Sequence, residues 1–172
     1  MNPTQHLTFQ LAGEEYAIAI LPVREIVPFS PLTTVPQAPP SVRGVVNLRG
    51  SIVPVIDLAV KFSLPASPLT NRTSIVILEI ESEEEKTVVG ILADAVNQVV
   101  AWHADDILPV PAFGTQARVD FLRGLAKAGD KFVLILNIDK VLAAAEPSAA
   151  RLIAAYAASG ADAAAPGESR SR

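Results

Sequence analysis

Arg43-Gly44-Val45-Val46-Asn47-Leu48-Arg49-Gly50-Ser51-Ile52-Val53-Pro54-Val55-Ile56-Asp57-Leu58 holds two short apolar runs, Val45 to Leu48 and Ile52 to Ile56. Arg49-Gly50-Ser51 separates them. Two β-branched runs about a glycine turn specify a β-hairpin. Gly50 supplies the positive φ that a β-branched residue resists. Strand alternation places Val46 and Leu48 on one face and Asn47 and Arg49 on the other, so the guanidinium of Arg49 is displayed at the tip. Asp57 is positioned as the N-cap of a short helix that leaves the second strand.

Outward from this hairpin the same period recurs. Leu7, Phe9 and Leu11, then Tyr16, Ile18 and Ile20, alternate across a turn at Gly13-Glu14-Glu15 and read as two strands. Pro22 suits the first turn of a short helix carrying Val23, Ile26 and Val27, with Arg24 and Glu25 beside them. Five prolines between residues 28 and 41 exclude helix and central strand there. Leu64 to Arg72, with Pro65 and Pro68, is a second loop and the expected lobe boundary. Ser74 to Glu81 contains the unbroken run Ile75 to Leu78, which fits a strand buried on both faces. Thr87 to Ala93, Val96 to Trp102, Phe121 to Leu125 and Lys131 to Ile138 complete a set of about ten strands at hairpin spacing, an all-β barrel or a pair of barrels. Pro147 to Ser159 is alanine-rich, with Leu152, Ile153 and Tyr156 at helical spacing, and Gly160 to Arg172 has no periodicity. The expected organisation is a domain over 1–145, a C-terminal helix over 146–159 and a disordered tail over 160–172.

Composition excludes several classes. Half of the 172 residues are hydrophobic and 19% are charged, with no cysteine, so a core is affordable in material and disulfides and thiolate metal sites are not available. A formal charge of −4 disfavours a nucleic-acid surface. No apolar run reaches membrane-spanning length, and the first residues lack the basic start of a signal peptide, so a cytoplasmic protein without direct membrane insertion is expected.

RG-x-x-NLRG-x-x-x-PV-x-DL resembles the CheW family of bacterial chemotaxis coupling proteins. The resemblance extends to Phe9–Ile26, to VVGILADAV at Val88–Val96 and to GDKFVLILNIDKVL at Gly129–Leu142. The four motifs cover most of residues 7–143 in the family's order. The resemblance implies two small five-stranded SH3-like barrels that share a core and exchange strands. It implies a non-enzymatic adaptor, without cofactor or metal, at membrane-associated receptor arrays. The implied partners are the cytoplasmic tip of methyl-accepting chemoreceptors and the regulatory domain of a histidine kinase. A coupling protein of a non-flagellar pathway, for twitching motility or surface signalling, is the alternative within the family.

Arg49 on its turn is either a solvated tip residue or a bidentate donor to a carboxylate, with Glu25 as its internal mate or as a companion contact. The resemblance assigns a receptor-binding groove to Val23, Glu25, Ile26, Asn47, Arg49, Ile52, Val99 and Val100. It assigns a kinase-binding surface to Pro109, Pro111 and Phe113, although Leu108 and Ala112 stand where the family often carries charge. From another class, His103, Asp105 and Asp106 could form the acid/base cluster of a small hydrolase; a polar turn whose aspartate caps a short helix explains them equally in kind and more simply. Asp57 and Asp94 are likewise either paired carboxylates or caps. No GxGxxG or GxxxxGK pattern is present.

Overall fold

The structure is a computed structural model that describes residues 2–82, 85–110 and 121–145. Eleven strands, two short α-helices and one 3-10 turn (Ala104–Asp106) occur among them: β1 (Thr4–Leu11), β2 (Glu14–Ala19), β3 (Val23–Pro28), β4 (Val42–Leu48), β5 (Ser51–Ile56), α1 (Leu58–Lys61), β6 (Ser74–Ser82), β7 (Glu85–Ala93), β8 (Ala95–Trp102), β9 (Ile107–Leu108), β10 (Leu122–Ala128), β11 (Lys131–Leu136) and α2 (Ile138–Ala145). They form a six-stranded sheet in the order β8-β1-β2-β11-β10-β9 and a five-stranded sheet in the order β3-β6-β7-β5-β4. The all-β class is therefore observed, with six and five strands rather than five and five.

The chain enters the first sheet with β1 and β2, leaves for the whole of the second, and returns at β8. The crossings fall at Ile20–Pro22 and at Asp94. The Leu64–Arg72 loop, expected as a lobe boundary, lies inside the second sheet between β5 and β6. It joins two strands of one sheet that both pair with β7, so it does not divide the chain into lobes.

Apolar residues on both faces of the strands explain why the sheets stay together. Val76 and Leu78 of β6 join a central cluster with Leu7, Phe9, Leu11, Tyr16 and Ile18 of the first sheet, while Ile75 and Ile77 point into a second cluster with Val46, Val53, Val55 and Leu92. The first sheet has its own inner cluster of Ala17, Trp102, Ala126, Val133 and Ile135. Strand alternation thus sends every second side chain into a private core and the others into a common one. The continuous run Ile75–Leu78 has both faces covered, as its lack of polar alternation requires.

One reading of the N-terminal third is corrected. Val23–Pro28 is a strand, antiparallel to β6 from Val23↔Leu78 to Pro28↔Ser74, not a helix. Its β-branched residues lose χ1 freedom in a helix and pack well on a pleated surface, and pairing with β6 decides the matter. Pro22 sits in the tight turn before it, where Val23 N–H donates to Ile20 O at 2.9 Å. His6 belongs to β1 and is only 2% exposed. Its ring lies 5.0 Å from that of Trp102, and Nδ1 is 3.1 Å from Thr4 O.

Burial, and secondarily Arg123, holds the His6 pKa below its ordinary 6.5, against the raising effect of the Thr4 carbonyl. The sign of the linkage follows. Above 6.5 both folded and unfolded forms are neutral; as pH falls through that value the unfolded chain takes the proton first, so stability is lost on acidification toward the folded pKa. His6→Gln is expected to flatten the fall in Tm between about pH 7 and pH 5. Parallel Tm–pH curves for the two proteins would remove His6 from this role.

α2 was not foreseen, because the apolar pattern of β11 runs into it without a break. Asn137 marks the change: Val141 N–H donates to its carbonyl at 2.9 Å, and Val141 and Leu142 join the common cluster. The expected helix over 146–159 and the tail over 160–172 lie outside the described residues.

Candidate functional site

The β4–β5 hairpin forms as expected, in the register Val42↔Ile56 to Leu48↔Ser51, with Ser51 in the strand rather than in the turn. Its turn is two residues long: Arg49 has φ 50° and Gly50 φ 90°. Positive φ at both central positions is the turn geometry whose twist matches the strands. Asn47 Oδ1 accepts from Gly50 N–H at 2.9 Å and braces the turn. A left-handed conformation is costly for a residue with a Cβ, so Arg49 is held in a constrained, outward pose of the kind found at functional positions.

The five-stranded sheet curls until its two edges meet. β3 and β4 are the edge strands, and Thr33, on the chain that continues from β3, bridges to Val45 of β4 with N–H···O distances of 2.9 and 2.8 Å. Gly44 permits this seam, since a Cβ there would lie 2.6 Å from Thr33 O. Across the same seam the guanidinium of Arg49 forms an ion pair with the Glu25 carboxylate. The hydrogen bond to Glu25, then its charge, holds the Arg49 pKa above its ordinary value. The Arg49 side chain remains 70% exposed, so the pair lies in water with most of the guanidinium available.

The expected groove residues divide into two sets. Glu25 and Arg49 are joined directly; Asn47 and Ile52 are cross-strand partners beneath the turn. Val23 packs against the common cluster, and Ile26 is 42% exposed beside Glu25. Val99 and Val100 belong to β8, an edge strand of the other sheet. Val99 is 50% exposed, whereas Val100 leans on the inner cluster containing Trp102. None of the packed clusters holds both sets. Leu21, a single apolar residue in the turn before β3, is 90% exposed.

Of the expected kinase-facing residues, Pro109 is exposed just after β9; Pro111 and Phe113 lie outside the described residues, as does Ala112. Leu108 is half exposed. His103, Asp105 and Asp106 form the capped turn: His103 N–H donates to Asp106 Oδ2 at 2.9 Å, and all three residues are exposed. Among the described residues no group of three or more His, Cys, Asp or Glu side chains converges to hold a metal ion. Asp57 and Asp94 are not paired. Asp94 Oδ2 accepts from Ala12 N–H at 3.1 Å, capping the β1–β2 turn.

Asp57 has a larger role than a cap. It is fully buried. One oxygen accepts from Ala59 N–H at 3.0 Å and the Ser67 hydroxyl at 3.1 Å; the other accepts from Ser67 N–H at 3.0 Å and Arg43 Nη1 at 2.5 Å. Arg43 also donates to Ser67 O at 3.3 Å. The hairpin register could have revealed this, because pairing Val42 with Ile56 brings Arg43 and Asp57 to the same end.

No helix among the described residues is long and apolar enough to cross a membrane. The CheW-like domain model matches residues 5–146. The chain is 36% identical to the chemotaxis protein CheW of Klebsiella aerogenes over 142 residues, 83% of each chain. It is 31% identical to the chemotaxis protein CheW of Rhizobium meliloti, covering 87% of this chain and 99% of that one. Its fold is similar to the crystal structure of the scaffolding protein TtCheW from Thermoanaerobacter tengcongensis, with a TM-score of 0.71 and 31% identity over 81% and 88% of the two chains. The hairpin motif, the interleaved sheets and these matches agree: the chain belongs to the CheW family of chemotaxis proteins.

Proposed function

We propose that this chain is a non-enzymatic adaptor that couples the cytoplasmic tip of methyl-accepting chemoreceptors to the regulatory domain of a chemotaxis histidine kinase, in arrays beside the membrane. The observation that carries the reading is the exposed Glu25–Arg49 pair across the seam of the second sheet. A guanidinium in a constrained pose beside apolar side chains suits a helical partner that brings a carboxylate and an apolar stripe. Signal passes by binding alone: a receptor state that contacts this seam better shifts the population of the whole assembly, including the kinase.

An adaptor that holds two partners together needs two surfaces. The receptor surface is the seam with Val23, Glu25, Ile26, Asn47, Arg49 and Ile52, extended by Val99 and Val100. The kinase surface is the stretch of Pro109, Pro111 and Phe113. Arg49→Glu places two carboxylates together and is expected to weaken a receptor-tip fragment by about tenfold or more, with kinase-domain affinity near wild type. Its Tm should change little, since exposed ion pairs contribute little to folding. Phe113→Ser is expected to show the opposite bias. Titration of both variants against both partners, with thermal melts as the folding control, tests this. Equal loss of both partners in a folded variant would refute the two-surface arrangement.

A further inference from the structure

We propose that Arg24, displayed by a β-bulge, is a second cationic contact of the receptor surface, and that the helix this surface takes carries two carboxylates about one turn apart. The inference rests on the receptor reading above and deepens it. β3 is an edge strand. Its register with β6 steps by one residue, with Val23 opposing Leu78 and Glu25 opposing Ile77. Arg24 is the extra residue. A bulge in an edge strand beside a binding site re-aims a side chain and is a built feature of the strand.

The bulge changes what the rim of the second sheet presents. In a regular strand consecutive residues point to opposite faces, and Arg24 would turn away from Glu25. Here the Arg24 guanidinium reaches Glu79 Oε1 at 3.1 Å. Glu79 lies two residues beyond Ile77 on β6 and shares its face, and Ile77 is the partner of Glu25. Arg24 and Glu25 thus serve the same rim although they are neighbours in sequence. Pro22 O accepts from Glu79 N–H at 2.8 Å, which fixes the chain just before the bulge. Lys86 Nζ holds the other Glu79 oxygen at 3.5 Å.

Exposure gives the rim its sign. The Glu25 and Glu79 side chains are 32% and 26% exposed, whereas those of Arg49, Arg24 and Lys86 are 70%, 55% and 65% exposed. The paired carboxylates lie beneath and their cations outermost, on a chain whose formal charge is −4. A guanidinium has several N–H donors in a fixed fork, so each arginine can hold its internal carboxylate and still donate to a second one. Glu25 and Glu79 are diagonal neighbours across β3 and β6, about 7–8 Å apart. The arginines above them suit acids at i and i+4 of a helix, which stand about 6 Å apart.

Deletion of Arg24 restores an unbroken register, because Val23 and Glu25 already oppose adjacent residues of β6. It is expected to leave Tm near wild type and to weaken binding of a helical-hairpin fragment of a chemoreceptor tip about tenfold. Arg24→Gln should weaken binding in the same direction, with a shallower dependence of affinity on salt, and Arg24→Lys should recover part of the loss. Kinase-domain affinity should stay at wild type in all three. Arg24→Glu should regain affinity for a fragment in which one acidic residue of the contact helix is replaced by arginine. Should the deletion fail to fold, the substitutions decide. Loss of fragment binding in Arg49→Glu, with wild-type binding in Arg24→Gln and Arg24→Glu, would overturn this inference and leave the receptor reading standing. A wild-type chain that does not bind the fragment would overturn both.

Discussion

Asp57→Ala is expected to cost about 3–5 kcal/mol, the range for removing one member of a buried ion pair. The carboxylate accepts four hydrogen bonds, from Arg43, from Ala59 N–H and from both the N–H and hydroxyl of Ser67. Alanine leaves Arg43 with only Ser67 O among these partners. It also releases the loop 64–72 from the end of the hairpin and uncaps α1. The Arg43 side chain is 24% exposed, so water recovers part of its charge and the loss lies toward the lower bound. Asp57→Asn keeps the shape and some acceptors and should cost less, about 1–3 kcal/mol. Urea unfolding of Asp57→Ala, Arg43→Met and the double variant measures the coupling. If Asp57→Ala costs under about 1 kcal/mol, or if the two single losses simply add, the network is not a structural unit.

How far the residues alone reached follows from the range of the interactions involved. The hairpin at 42–56, the strand pair at the N-terminus and the two-faced burial of Ile75–Leu78 are local properties of alternation and turn chemistry, and each was legible. The display of Arg49 was legible for the same reason, and Glu25 as its mate came from a short list of nearby carboxylates. β3 was misread because six residues after a proline carry too little periodicity to separate helix from strand; its pairing with β6 is a contact across about fifty positions. The exchange of strands between sheets is invisible to any local pattern, which is why the family resemblance had to supply it. Asn47 illustrates a subtler limit. Its place on the face of Arg49 was foreseen, but its amide oxygen serves the turn, so part of its apparent availability to a partner is already used. Val99 and Val100 were grouped with the hairpin by resemblance alone, and they stand on the other sheet, on opposite faces of one strand.

Gly44→Ala tests whether the seam beneath Arg49 is a real closure of the second barrel. A Cβ at Gly44 would meet Thr33 O at 2.6 Å and Leu32 Cβ at 3.0 Å. The first obstacle is backbone, so it cannot turn aside as a flexible side chain would. The chain at Thr33 must withdraw, and its two hydrogen bonds with Val45 are lost at about 1 kcal/mol each. Gly44 also has φ +153°, which adds about 1 kcal/mol for a residue with a Cβ. The expected total is about 3 kcal/mol. Gly13→Ala is the control: its φ is +83° but a Cβ there meets nothing within 4 Å, so it should show the conformational cost alone. Hydrogen exchange adds a second readout, because the Val45 amide should lose protection in Gly44→Ala and retain it in Gly13→Ala. Loosening the seam also frees β3 from the hairpin tip, so receptor-fragment affinity should fall in Gly44→Ala although Arg49 and Glu25 are intact. Equal denaturation midpoints for the two variants, with Val45 still protected, would show that Thr33 yields without cost and that the barrel is closed by its strands rather than by this bridge.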